Sequence, residues 1–415
     1  MSSHIGSPTR RAALALLEAV MTRHRPLEEA LDALPTGIAP RDKAAAHRIA
    51  AAVLRRAGSL DQVLEPFLRR EPPSPVRQAL RMGAAELLLL GTPAHAAVAS
   101  SVTLVPKPFA GLANAVLRRV AEAGAAALEG LDAERLDTPP WLWTAWHAAY
   151  RPAVRQSAAA HRQEAPLDIS LVPGATAPEG GTELPNGSWR YPAGTHVTAL
   201  AGFAEGAFWV QDAAATLPAR LLAVRPGEKV LDLCAAPGGK TAQLVAAGGQ
   251  VVAVEREAKR ALRLRENLAR LHMEAEVVEA DATAWDAGGA LFDAVLLDAP
   301  CTATGTIRRH PDVPYLKRLR DVAPMAELQR ALLAAAARRL APGGRLVFAT
   351  CSLQPEEGEA HLAAPPGLLP DPVRPEEMPG LEQAITTAGA VRTRPDFWAG
   401  QGGMDGFFIA RWRRE

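Results

Sequence analysis

Through roughly the first 128 residues, apolar positions recur at spacings of three and four. Ser7-Pro8 reads as an N-cap followed by proline at the first helical position, and Ala13, Leu17, Val20 and Met21 then share one face. The same period runs through residues 44–64, 76–91 and 111–124, with Pro72, Pro73, Pro93 and Pro106 as breaks. An all-α domain over residues 1–130 is predicted. Residues 131–223 are less regular. Trp141, Trp143, Trp146 and Tyr150 are followed by short strand-like runs such as LDISLV, set among Gly and Pro. This stretch reads as a small α+β connecting subdomain, its tryptophans more readily explained by packing between domains than by stacking of nucleobases.

From Gly227 onward the pattern becomes strand, loop, helix, repeated. KVLDLC, QVVAVE, AEVVEAD, FDAVLLDAP and GRLVFATCS are short apolar or β-branched runs, separated mostly by helical segments such as residues 256–271 and 325–340. The alternation predicts a parallel sheet covered on both faces, an α/β domain over residues 224–415. Ligands of such sheets bind beyond the carboxyl ends of the strands, near the point where strand order reverses.

Composition narrows this picture only in places. The chain has 415 residues, enough for two or three domains, and 48% hydrophobic against 22% charged residues mark a soluble globular protein. No apolar run reaches the roughly 18 residues that span a bilayer, and the first twenty residues read as a helix start rather than an export leader. A cytoplasmic protein without a membrane contact is expected. The net charge of +1 leaves nucleic acid open as a partner, since a local basic face suffices. The pairs Arg55-Arg56, Arg69-Arg70 and Arg118-Arg119 offer such a face, but solvated helix surfaces explain them more readily. Three cysteines without a Cys-x-x-Cys pair or a histidine cluster argue against a disulfide framework and a structural zinc site, so no metal is expected.

The chemistry gathers at the strand ends. LDLCAAPGGKT closes the first strand, where Gly238 and Gly239 let backbone approach a ligand ahead of a helix start. A phosphate-binding P-loop would need glycine where Cys234 stands, so Gly239-Lys240-Thr241 completes only half of that motif. Glu255 ends the next strand, where nucleoside-binding α/β folds place an acid against ribose hydroxyls. Asp281 ends the third and could accept from an exocyclic adenine amine. Asp298 ends the fourth, with Cys301 in the turn after it, and Thr350 ends the fifth, with Cys351 next. If these two strands are neighbours, both thiols reach one crevice. Methyl transfer to an amine needs no thiol, whereas carbon 5 of a pyrimidine becomes nucleophilic only after something adds to carbon 6, and a thiolate is suited to that task.

These stretches, together with LLDAPCTATGTIRRHPD, FATCSLQPEE and MDGFFIARW, resemble the motifs of the Sun-type RNA 5-methylcytosine methyltransferases. VQDAAATLPARLL resembles the segment before that family's cofactor domain. HAAVASSV and GLANAVLRRV resemble its amino-terminal domain, which is similar to the antitermination factor NusB. The resemblance implies a Rossmann-like class I methyltransferase domain, with S-adenosylmethionine held by Cys234, Ala235, Ala236, Pro237, Gly238, Gly239, Lys240, Glu255, Asp281 and Asp298. The family usually has Asp where this chain has Glu255. It further implies Cys351 as nucleophile, Cys301 in product release, and an RNA substrate, small-subunit ribosomal RNA before transfer RNA. Asp298 would assist at the cytosine ring. Arg308, Arg309, His310 and Asp312 are expected either to meet the RNA or to stabilise their own loop, and a monomer suffices. A P-loop nucleotide hydrolase and a non-catalytic RNA-binding assembly factor are the competing classes.

Overall fold

The computed structural model describes residues 8–363 and 365–415. Ser7 of the expected N-cap lies outside them. The chain divides into two compact units, residues 1–163 with 309–318 and residues 164–308 with 319–415. This division differs from the three segments read in the sequence. The tryptophan-bearing helices go with the first unit and the following strands with the second.

The first unit is helical. Its main helices are Pro8–Met21, Pro40–Leu64, Ser74–Leu88, Ala94–Leu104 and Ala110–Ala123. Pro73 and Pro93 stand immediately before two of these starts, where a missing N–H costs nothing. The first helix buries Ala12, Ala13, Leu16, Leu17, Ala19 and Val20, the apolar stripe anticipated from the period of its sequence, against Leu54, Leu60, Leu80 and Leu117 among others. Helices Pro140–Tyr150 and Ala153–His161 follow, and Trp146 is buried with its ring 5.3 Å from that of His161. Arg56 and Arg162 both pair with the buried Asp137 carboxylate, at 3.2 and 2.9 Å.

The second unit opens with a small antiparallel sheet of strands β1 (Leu167–Leu171), β2 (Thr182–Glu183), β3 (Trp189–Tyr191) and β4 (Phe208–Val210), ordered β2-β3-β1-β4. Its main sheet contains β5 (Lys229–Leu233), β6 (Gln250–Glu255), β7 (Glu276–Glu279), β8 (Phe292–Asp298), β9 (Leu340–Thr350), β10 (Leu368–Pro370), β11 (Val391–Arg392) and β12 (Phe408–Arg414). Their order is β10-β12-β9-β8-β5-β6-β7, with β11 also on β12. β5 to β9 pair in parallel, as the five apolar runs predicted. The sheet as a whole is mixed, because β12 runs antiparallel to β9 and carries β10 and β11 on its other side.

Side chains alternate between two cores, as the two-residue period of a strand requires. Val230, Leu296, Val347 and Ile409 face one way, with Leu217, Leu221 and Leu222 of helix Leu217–Leu222. Leu231, Leu297, Phe348 and Phe408 face the other, with Leu332, Leu333 and Ala336 of helix Val322–Arg338. Each such aliphatic side chain contributes about 1.5–3 kcal/mol by leaving water. The chain winds outward from β5 through β6 to β7, then returns to β8 and β9 on the other side. Strand order therefore reverses between β5 and β8, and the crevice at their carboxyl ends is where this fold binds ligands.

Candidate active site

The turn after β5 is shaped by its backbone. Cys234 takes a left-handed φ of 62°, and Gly238 a φ of 103° at the cap of helix Gly239–Ala246. A Cβ on Gly238 would lie 2.5 Å from the Leu264 side chain, so only glycine lets the turn pack this closely. Burial pushes the Cys234 thiol up to about 12, with the Asp298, Glu255 and Asp232 charges adding to the effect. That thiol stays protonated and inert. Lys240 Nζ donates to Asp298 Oδ2 at 2.8 Å and sits 5.1 Å from the Phe407 ring centre, while Thr241 Oγ1 donates to Asp232 Oδ2 at 2.6 Å. The two side chains that serve phosphate and magnesium in a P-loop are thus committed to carboxylates of the protein, which speaks against a nucleotide hydrolase.

Asp232 is fully buried, and burial pushes its carboxyl from 3.8 to about 7. A carboxyl raised in the folded state favours folding most below its unfolded value, and that contribution fades as pH climbs toward about 7. Asp232→Asn should therefore flatten the loss of stability between pH 5 and 8, by on the order of a few kcal/mol, in urea titrations at a series of pH values.

Glu255 is buried at the end of β6. Its carboxylate accepts from Glu257 N at 3.1 Å and Ala236 N at 3.4 Å, and Arg260 lies 3.4 Å away. It faces the LDLCAAPGGKT turn, as an acid serving the same ligand as that turn would. Asp281 lies two residues beyond the end of β7 and is exposed. The Thr283 hydroxyl, at 2.6 Å, and its N–H hold the Asp281 carboxyl below the usual range.

β8 and β9 are neighbours, with Asp298 opposite Ala349. That pairing brings the two thiols together: Cys301 Sγ and Cys351 Sγ are 3.5 Å apart. The hydrogen bond to Cys351 and burial raise the Cys301 thiol well above its ordinary value. Gly305 N donates to Cys351 O at 2.9 Å, and a Cβ on Gly305 would fall 2.0 Å from Gly406 O. Glycine is needed here because TATGT and MDGFF cross at backbone contact beside the nucleophile candidate.

The loop after Cys301 departs from one of its two expected roles. Arg308 is 1% exposed, and its guanidinium donates to Asp212 Oδ2 at 2.6 Å and Gly402 O at 2.6 Å, with Asp405 Oδ1 at 3.6 Å. It is held in an internal ion pair, because a charge this deep is stable only beside opposite charge. Arg309 and His310 are half-buried and belong to the first unit. Asp312 accepts Leu27 N at 2.8 Å in that unit, at the start of helix Leu27–Asp32. Asp212 and Asp405 carried no local signal of a pairing role.

The reversal of strand order, the glycine turn, the acid ending β6 and the β8 carboxylate form the ligand crevice of a nucleoside-binding α/β domain, and its likeness to known methyltransferases makes the chain an S-adenosylmethionine-dependent methyltransferase. Residues 219–413 match the family model described as 16S rRNA methyltransferase RsmB/F, and residues 7–122 match the NusB family. The chain is 36% identical to ribosomal RNA small subunit methyltransferase B of Sodalis glossinidius, covering 95% of each chain, and 35% identical to that of Vibrio cholerae, covering 97% of this chain and 96% of the other. A methyltransferase homologue from Pyrococcus horikoshii of known structure superposes with a TM-score of 0.56 at 25% identity, over 68% of this chain and 97% of that one. The chain belongs to the family of ribosomal RNA small subunit methyltransferase B.

Proposed function

We propose that the protein methylates carbon 5 of a cytosine in 16S ribosomal RNA through a covalent bond to Cys351. The observation that carries this reading is the 3.5 Å separation of Cys301 Sγ and Cys351 Sγ at the ends of adjacent strands, beside Asp298. A pair of thiols has no task in methylating an amine or a hydroxyl. It has one when a ring carbon must be activated by addition and released by elimination.

In this mechanism the Cys351 thiolate forms a bond to carbon 6, and the displaced electron pair moves into the ring. Ring nitrogen 3 takes up a proton as that electron pair arrives, and its N–H donates to the Asp298 carboxylate, which Lys240 steadies, so the adduct is stabilised. Residues Cys234 to Lys240, Glu255, Asp281 and Asp298 would hold S-adenosylmethionine, which would supply an electrophilic methyl group to carbon 5 and leave as S-adenosylhomocysteine. The carbon 5 proton then passes to water, its electron pair restores the double bond, the bond from carbon 6 to sulfur breaks to return Cys351 as thiolate, and ring nitrogen 3 gives up its proton. Cys301 assists that release. A cytosine in a loop is already unstacked, which suits a ribosomal RNA target, and the NusB-like region supplies an RNA-binding surface.

The test is direct. Incubation with S-adenosylmethionine and deproteinised 16S RNA, followed by nuclease digestion and mass spectrometry, should yield 5-methylcytidine at one position. Methylation at a ring nitrogen or a ribose, or at transfer RNA alone, would overturn the reading. Glu255→Ala should weaken S-adenosylmethionine binding by about 10- to 100-fold in calorimetry, the range expected on losing a charge-assisted pair of hydrogen bonds.

A further inference from the structure

Behind the two thiols lies a buried carboxylate that the reaction above does not use. Glu357 is 0% exposed, in the short turn Pro355–Glu357 that follows Cys351. Its Oε1 accepts Thr302 N at 2.8 Å. Its Oε2 accepts the Ser352 hydroxyl at 2.5 Å and also the Thr302 hydroxyl. Thr302 follows Cys301, and Ser352 follows Cys351. The residues before the cysteines are tied to the same point. Thr350 Oγ1 donates to Glu357 O at 2.8 Å, and Gln329 Nε2 donates to Pro300 O at 2.8 Å while reaching Glu357 Oε1 at 3.3 Å.

All four residues that flank the two cysteines thus bond to Glu357 or to its partner Gln329. We propose that Glu357 is a positioning residue for methyl transfer, holding the Cys301 and Cys351 sulfur atoms in register across two loops. The proposal rests on the reading of Cys351 as nucleophile. A carboxylate suits the role because it only accepts, and the groups converging on it are an N–H, two hydroxyls and an amide NH₂. A sulfur displaced by about 1 Å would slow addition on the order of 10²-fold.

The charge has a second consequence. Cys301 faces Cys351 and the Glu357 carboxylate, and the Glu357 charge adds to the hydrogen bond and burial that raise the Cys301 thiol. His361 stands further back, with Nε2 3.0 Å from Gln329 Oε1, and Arg392 donates to Ser352 O at 2.5 Å while pairing with Glu359. The Glu357 charge therefore disfavours the Cys301 thiolate.

Glu357→Gln retains the shape and removes the charge, and Ser352→Ala removes the hydroxyl that joins Glu357, Thr302, Thr304 and Gln354 N on the Cys351 side while the carboxylate keeps its charge. Each full-length variant is assayed for tritium transfer from S-adenosylmethionine to RNA. Iodoacetamide alkylation of the free protein is followed across pH, and each cysteine is read by peptide mass spectrometry. Glu357→Gln should lower kcat on the order of 10²-fold, leave S-adenosylmethionine affinity within about twofold, and move the Cys301 alkylation profile to lower pH. Ser352→Ala should lower kcat by about 10-fold with the Cys301 profile in place. Wild-type kcat in both variants would overturn the proposal, as would loss of activity in Glu357→Gln with an unmoved Cys301 profile. The alkylation arm contains no RNA, so a failure of the cytosine reading leaves it intact and distinguishable.

Discussion

Cys351→Ala should lose methyl transfer by on the order of 10⁴-fold or more, and Cys301→Ala should instead remain joined to its RNA. The asymmetry follows from where the proposed mechanism has each thiol act. Without the Cys351 sulfur nothing adds to carbon 6, and carbon 5 never becomes a nucleophile. Without Cys301, addition and methyl transfer proceed but elimination stalls. The close contact of the two sulfur atoms gives this division a physical basis. Cys301 is pushed toward the protonated form by its hydrogen bond to Cys351, by burial and by the Cys351 and Glu357 charges, which suits it to assisting release rather than to adding to carbon 6. End-labelled RNA incubated with each variant and run on a denaturing gel separates the outcomes. Label should travel with Cys301→Ala protein and be absent from Cys351→Ala and from the double variant. An adduct in Cys351→Ala that disappears in Cys301→Ala would exchange the two roles.

The parts of this site that were legible in the sequence are those controlled by short-range pattern. Five apolar runs announced β5 to β9, and the residues that end them could be named because a parallel strand stops where its apolar run stops. Cys301 and Cys351 were identified in that way, and the adjacency of β8 and β9 then brought them together. Asp281 shows the limit. Its run of residues extends past Glu279, where pairing with β6 ends, so the carboxylate falls in a turn and binds Thr283. The antiparallel β12 was visible only as a motif, since a single apolar run carries no sign of direction. Glu357 sits in QPEE, a polar run with no local sign of burial. Its burial comes from Thr302, 55 residues away, and from Gln329 on a different helix. The paired arginines behave similarly. Arg308 and Arg309 look alike in sequence, yet one is sealed against Asp212 and Asp405 while the other is half-buried in the first unit.

Arg308→Ala should destabilise the methyltransferase unit by about 3–5 kcal/mol, the range for removing one partner of a buried ion pair. The reason is what it leaves behind. Asp212 is 5% exposed and Asp405 0%, and the Asp212 carboxylate already accepts Ala214 N at 2.9 Å and Asp405 N at 3.0 Å. Those N–H groups cannot neutralise two carboxylates with no cation between them. The loss would also be felt at the active site, because Gly406 N, next to Asp405, donates to Gly305 O, and Gly305 N donates to Cys351 O. Arg308→Lys should recover part of the stability, since an ammonium restores the charge without the fork that spans Asp212 and the Gly402 carbonyl. Urea unfolding monitored by fluorescence measures the first effect, and RNA affinity at low temperature measures the alternative. A variant of wild-type stability with RNA binding weakened about 10-fold or more would restore Arg308 as an RNA contact. Lowered stability with RNA affinity unchanged in the folded protein would establish that RRHPD contributes its first arginine to the core.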